Sequence, residues 1–212
     1  MEINWLGHSS VSINSRDVVL IADPYDSSDG TFMAPQKADI VTISRDNSKH
    51  SSIDSISGNP RVIDGPGEYE INNFYITGHG TADTTVDQGS ARRINTIYTI
   101  KAEGLAICHI GALSQKLTPS QIDQIGQIEL LFVPVTPPED EDNTIIQDTI
   151  TALQPRIVVP LQYTLGTPSD DLPNPDKFFD TIGATEKVAQ NRLTVTETNL
   201  PAETTPFLLN RQ

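Results

Sequence analysis

Apolar positions along the first half of the chain fall into short runs, the length of buried strands rather than of helices. The runs at residues 5–13 and 18–22, separated by a polar turn at 14–17, predict a hairpin that ends at Asp23-Pro24-Tyr25. Residues 40–43 are apolar and mostly β-branched, a buried strand that runs into the polar stretch 44–50. Residues 53–65, broken by Gly58-Asn59-Pro60, predict a loop with a short strand at 61–63. A second hairpin is predicted over 66–78, its two-residue turn at Asn72-Asn73, because asparagine tolerates the positive φ such turns need. Residues 81–91 read as a polar loop, and strands follow at 94–100 and 105–110.

Helical signals appear only later. Thr118-Pro119-Ser120-Gln121 is a capping box with proline at the first helical position, and Gly126 is a stop. A buried strand is predicted at 128–135. The acidic run 139–142 reads as a solvated loop feeding a helix over 143–154, with Ile146, Ile150 and Leu153 on one face and Pro155 ending it. A strand at 157–160, a short helix opened by Asn174-Pro175 and stopped near Gly183, and edge strands at 193–195 and 207–209 complete the chain. No repeat, low-complexity tract or linker divides it. Strands first and helices later predict one layered, sheet-rich α/β domain spanning 1–212.

Composition narrows the partners. The 212 residues suffice for one domain with a sizeable core. With 14 Lys+Arg against 28 Asp+Glu the net charge is −14, which argues against nucleic acid and against an anionic membrane surface. Arg92-Arg93 is the only adjacent basic pair. The single cysteine, Cys108, excludes an internal disulfide and suits a reducing compartment; within an apolar run it packs rather than reacts. The start of the chain lacks a signal-peptide pattern and no apolar run approaches the ~20 residues of a membrane helix, so a soluble, cytoplasmic protein is expected.

Familiar catalytic motifs are missing: there is no G-x-S-x-G elbow, no P-loop and no G-x-G-x-x-G. Glu68 and Glu70 are set aside as an acid/base pair on the expectation that they point to opposite faces of a strand. The stretch 44–50 is the natural site, because strand ends in α/β folds deliver side chains to ligands.

Three segments carry a resemblance: Trp5-Leu6-Gly7-His8-Ser9 with Asp23-Pro24-Tyr25, the hairpin Pro66-Gly67-Glu68-Tyr69 to Ile76-Thr77-Gly78, and the strand and loop 38–50. Together they resemble the metallo-β-lactamase superfamily, in its ascorbate-phosphate lactonase-like branch, over essentially the whole chain. That resemblance implies a four-layer αββα sandwich with one or two metal ions on the edge where the sheets meet. A metal-bound water would there be acidified into a hydroxide that attacks an ester, lactone, amide or phosphodiester. The ligand positions are largely replaced. Where the family has Ser/Thr-His-x-His-x-Asp-His, this chain has Arg45, Asn47 and Lys49, and keeps only His50. Its T-x-H-D is matched by Thr81-Ala82-Asp83 without the histidine, its C-H-x-G-D by a segment ending in Ala112, and its P-x-H-Y by Pro160-Leu161-Gln162-Tyr163.

The four histidines are too few to rebuild a site easily, since a catalytic zinc normally takes three protein ligands. His8 and His109 read as hydrogen-bonded residues near the cavity, His79 as a loop histidine or a relocated ligand, and Asp23 as a residue that would orient a ligand. The expectation is a pseudoenzyme with no cofactor, which binds a small anion in the old cavity or a protein partner. The alternative is a hydrolase with one zinc or manganese held by His50, His79, Asp83 and His8. An oligomeric scaffold, a homo-oligomer, is a third possibility. Arg45 and Lys49 are expected either to restore charge balance against Asp23, Asp46 or Asp83, or to point to solvent.

Overall fold

Side chains alternate along the first strands, and several of them therefore serve two apolar clusters at once. The computed structural model describes residues 1–26, 32–82, 94–135, 144–166, 172–184 and 188–212. In the first sheet β1 (Glu2–Gly7), β2 (Ser10–Ser15) and β3 (Val18–Ala22) run antiparallel. β5 (Ile40–Thr42) and β7 (Arg61–Ile63) extend β3 in parallel, and β14 (Leu193–Thr194) covers the outer edge of β1. Ile3, Trp5, Val11, Ile13, Leu20 and Ile40 turn into the main core. Leu6, Ile21, Val41 and Ile43 join Tyr25 and Met33 in a second cluster.

The second sheet begins with the expected hairpin. β8 (Gly67–Ile71) and β9 (Phe74–Ala82) are joined by Asn72 and Asn73, whose φ values of 51° and 68° are those the turn demands. β10 (Ile94–Ala102) and β11 (Leu105–His109) follow antiparallel, and β12 (Leu130–Pro134) and β13 (Ile157–Leu161) continue in parallel. Two helices lie in the crossovers, α1 (Pro119–Ile125) between β11 and β12 and α2 (Thr144–Leu153) between β12 and β13. Ile146 and Leu153 are buried beneath α2, and the capping box at Thr118 is formed as predicted. A third helix, α3 (Asp176–Thr181), buries Phe178 and Phe179.

The expected sandwich of two sheets is present. Its outer layers are unequal: among the described residues the second cluster is flanked by loops and by the two-stranded sheet of β4 (Gln36–Lys37) and β6 (Ile56–Ser57), with Ala38 and Ile56 packed in. Three readings need correction. The run 5–13 is not one strand: the chain turns at His8 (φ 47°) and Ser9, so the expected hairpin is a three-stranded meander of β1, β2 and β3. The last edge strand is β15 (Thr205–Pro206), earlier than expected: Phe207 N still bonds Val158 O of β13, but 208–210 pair with Gln190 instead, through Gln190 N to Leu208 O and Asn210 N to Gln190 O. Glu68 and Glu70 lie exposed on one face of β8, since residues two apart in a strand share a face. Among the described residues no helix is long and apolar enough to cross a membrane.

β3 and β5 run parallel in the first sheet, and β11, β12 and β13 run parallel in the second. Asp23, the loop 43–50, the segment 110–112 and Gln162 consequently leave strand ends, where backbone and side chains are free to turn toward one another.

Candidate functional site

Asp23 follows β3 in a left-handed conformation (φ 47°), and its amide is fixed to Thr42 O at 2.8 Å. That turn aims its fully buried carboxylate at Ser44, whose backbone N–H donates at 2.7 Å and whose hydroxyl donates at 2.5 Å. Two hydrogen bonds satisfy a buried charge that would otherwise be costly. Ser44 O accepts from Thr96 N at 2.8 Å, which ties the loop of the first sheet to β10 of the second. Gly111 closes the same junction. Its φ is 61°, and a Cβ there would stand 2.5 Å from both Ser44 Cβ and Asn95 Oδ1, so only glycine fits. Asn95, fully buried, holds the segment around it by donating to Ile110 O (3.0 Å) and accepting from Ala112 N (2.9 Å).

A second network centres on Ser9. Its hydroxyl lies 3.1 Å from His50 Nε2 and accepts from Gln162 Nε2 at 2.5 Å. Asn47 Oδ1 accepts from Lys49 N at 3.0 Å and lies 2.7 Å from His50 Nδ1. An amide oxygen only accepts, so Nδ1 carries the hydrogen and Nε2 presents its lone pair to the Ser9 hydroxyl. Burial pushes the His50 pKa down to about 4; Asp23 opposes the shift, and Arg45, His109 and His8 add to it. His50 is therefore neutral near pH 7.

The remaining expected residues divide between this network and other places. His109, on β11, is within 2.9 Å of Ser9 O through Nε2, while Nδ1 has no hydrogen-bond partner and lies 3.9 Å from the Asp23 carboxylate. His8 (φ 47°) packs its ring against Tyr25, and its carbonyl accepts from Trp5 Nε1 at 2.9 Å and Gln162 N at 3.0 Å. Tyr163 stacks on Trp5 with ring centroids 4.1 Å apart and bonds Leu209 O. Ala112 is buried and supplies only its backbone; Ala82 is exposed at the end of β9. Arg45 and Lys49 are half-buried on the loop, but the Asp23 carboxylate is taken by Ser44, not by either base. Asp83 lies outside the described residues.

His79 is not at the site. It pairs with Ile97 on β10, and its ring lies 3.2 Å from Thr99 Oγ1. Tyr98, between those two residues, sends its hydroxyl to Ile43 O and Ile63 O of the first sheet, so by strand alternation His79 faces away from that sheet. Its pKa is lowered by partial burial. Ser9, Ser44 and Asn95, which organise the site, were not among the sequence candidates. Asparagine inside a strand is the one signal that pointed to Asn95.

A metal ion does not fit this donor set. Divalent ions need several converging imidazole, carboxylate or thiolate donors. Among the described residues no three His, Cys, Asp or Glu side chains converge. His50, the retained donor, has both ring nitrogens facing protein partners, Ser9 and Asn47.

Comparison with known proteins agrees with the fold. A family model described as Beta-lactamase superfamily domain matches residues 2–162. A solved structure from Thermotoga maritima, described as a "putative zn-dependent hydrolase of the metallo-beta-lactamase superfamily", is 27% identical at a TM-score of 0.76, over 100% of this chain and 99% of that one. A metallo hydrolase from the archaeon Ignicoccus hospitalis is 15% identical, with a TM-score of 0.60 over 92% of this chain and 99% of that one. A metallo-beta-lactamase fold protein from Bacillus subtilis is 11% identical, with a TM-score of 0.61 over 99% and 96%. The latter two similarities are of fold alone. No curated protein sequence matches.

Proposed function

The chain belongs to the metallo-β-lactamase superfamily, and from that premise we propose that it keeps the scaffold without the metal-dependent hydrolysis, serving instead as a binding protein. One observation carries the reading. Two residues at the family's ligand positions, His50 and Gln162, both meet Ser9 Oγ, at 3.1 Å and 2.5 Å. A hydroxyl thus occupies the focus at which an ion would be held. Without a metal, no group here brings the pKa of water from 15.7 towards ~7.

The ligand class proposed is a small anion or a protein partner, with half-buried Arg45 and Lys49 placing two cations on the loop beside the site. Nucleic acid is disfavoured by the net charge of −14. The alternative of one zinc or manganese held by His50, His79, Asp83 and His8 has no support from His79, which lies on the far face of its sheet.

Metal content tests this directly. Protein incubated with zinc and manganese and then desalted is expected to retain well below one equivalent of either, and to show no hydrolysis of lactones, β-lactams or phosphodiesters that depends on added metal. One equivalent of metal that disappears in His50→Ala would overturn the proposal.

A further inference from the structure

We propose that Ser9 is an activated nucleophile that accepts the acyl or phosphoryl group of a small activated ester, with His50 as its base and Asn47 as the residue that orients the base. The arrangement was not visible in the sequence, where Ser9 falls in the run 5–13 and Asn47 and His50 in the distant polar stretch 44–50. It rests on the reading that no metal sits at this focus, and goes beyond it by assigning a reaction.

Each part of a nucleophile, base and orienter is present in the right order. Asn47 Oδ1, fixed by the amide of Lys49, holds the hydrogen of His50 Nδ1 at 2.7 Å and so selects the tautomer. The free lone pair of Nε2 then receives the Ser9 hydroxyl hydrogen at 3.1 Å. Gln162 approaches Ser9 from the other side, and its amide carries two hydrogens. One bonds Ser9 Oγ at 2.5 Å, and the second is the nearby donor for an oxyanion developing on the attacked carbonyl. His8 and Gln162 hold this geometry in left-handed backbone, at φ 47° and 60°, and are bonded to each other. Such conformations cost ~1–3 kcal/mol each and persist only where surroundings impose them.

Burial limits the substrate. Ser9 is only 2% exposed, but Asn47 and Gln162 on either side are half-buried, so the hydroxyl lies one residue below the surface. Such burial restricts attack to a small electrophile. In the reaction a bond forms between Ser9 Oγ and the carbonyl carbon, and the Oγ hydrogen passes to His50 Nε2. The bond from carbon to the leaving alkoxide breaks, and the alkoxide takes the hydrogen from Nε2 and departs as an alcohol. The group left on Ser9 is released by water or retained as a covalent adduct.

The experiment treats the full chain with diisopropyl fluorophosphate in the presence of EDTA and follows the intact mass and the labelled peptide. In that reaction the Oγ–P bond forms, the P–F bond breaks, and fluoride leaves with the proton. The expected result is one adduct, on Ser9, formed at least ~100-fold faster than in urea-unfolded protein, the lower end of what a positioned base contributes. His50→Gln should lose that acceleration and Ser10→Ala should keep it. The second serine bonds Ala22 O and not a histidine. Labelling no faster than in unfolded protein, labelling at another residue, or an unchanged rate in His50→Gln overturns the proposal. The first comparison needs no variant, so it holds if a substitution fails to fold. Absent labelling in metal-free protein leaves the proposed loss of metal chemistry standing, whereas one bound equivalent of metal removes that reading instead.

Discussion

His50 makes the site sensitive to acid, and the sign follows from its surroundings. In the unfolded chain its pKa is the ordinary 6.5, and in the folded protein burial lowers it to about 4. The unfolded state therefore takes up the proton first. The stability this residue contributes is complete above pH 6.5 and is lost as the pH falls from there to about 4. At 1.36 kcal/mol per unit, the loss reaches ~2–3 kcal/mol by about pH 4.5. Urea unfolding at pH 7 and pH 4.5 should show that drop on top of the carboxylate contribution, and His50→Gln should remove it. Equal drops in the two proteins would show that His50 does not resist protonation. At this scale the resemblance supplied only positions to look at, Arg45, Asn47, Lys49, Ala112 and Gln162. The hydrogen-bonded network among them was not legible. Ser9 and His50 meet across 41 positions, and nothing local to either residue announces the other.

Elements were more readable, because their signals are local. The turn at Asn72-Asn73 and the capped start of α1 each depend on neighbours within a few residues. In α1, Thr118 Oγ1 accepts from Gln121 N at 3.3 Å and Gln121 Oε1 accepts from Thr118 N at 2.9 Å. Thr118→Ala is expected to lower stability by ~1 kcal/mol in urea titrations, since the helix is only 7 residues long and has few other bonds to hold its first turn. A change below about 0.3 kcal/mol would mean that packing alone fixes the helix. Where the element reading slipped, a distant contact was responsible. The last edge strand moved because Gln190 bonds Leu208 and Asn210, a pairing that no local pattern carries. The neighbouring β14, paired with β1, fell where expected.

Across the whole molecule the excess of negative charge sets a general term. A net charge of −14 repels itself in the compact state. Raising sodium chloride from about 0.02 M to 0.5 M shrinks the screening length several-fold, and Tm should rise by roughly a few degrees. A fall in Tm would mean that attractive ion pairs outweigh the repulsion. The layered α/β class was legible from strands preceding helices, and the sandwich itself through the resemblance of three short segments. The unequal outer layers were not, because the residues of β4 and β6 carry no strong strand pattern and gain order by pairing with each other and covering Ile21 and Val41.

The shared focus on Ser9 also governs how this scaffold responds to redesign. Gln162→His discards the amide that donates to Ser9, and Asn47→His removes the oxygen that holds His50 Nδ1. Each change costs on the order of 1 kcal/mol of bonding before a single ion is captured, because the other donors are still missing. The path toward a metal centre therefore climbs at every early step and repays only when the set is complete. It acts as a ratchet: an engineer has to introduce the ligands together.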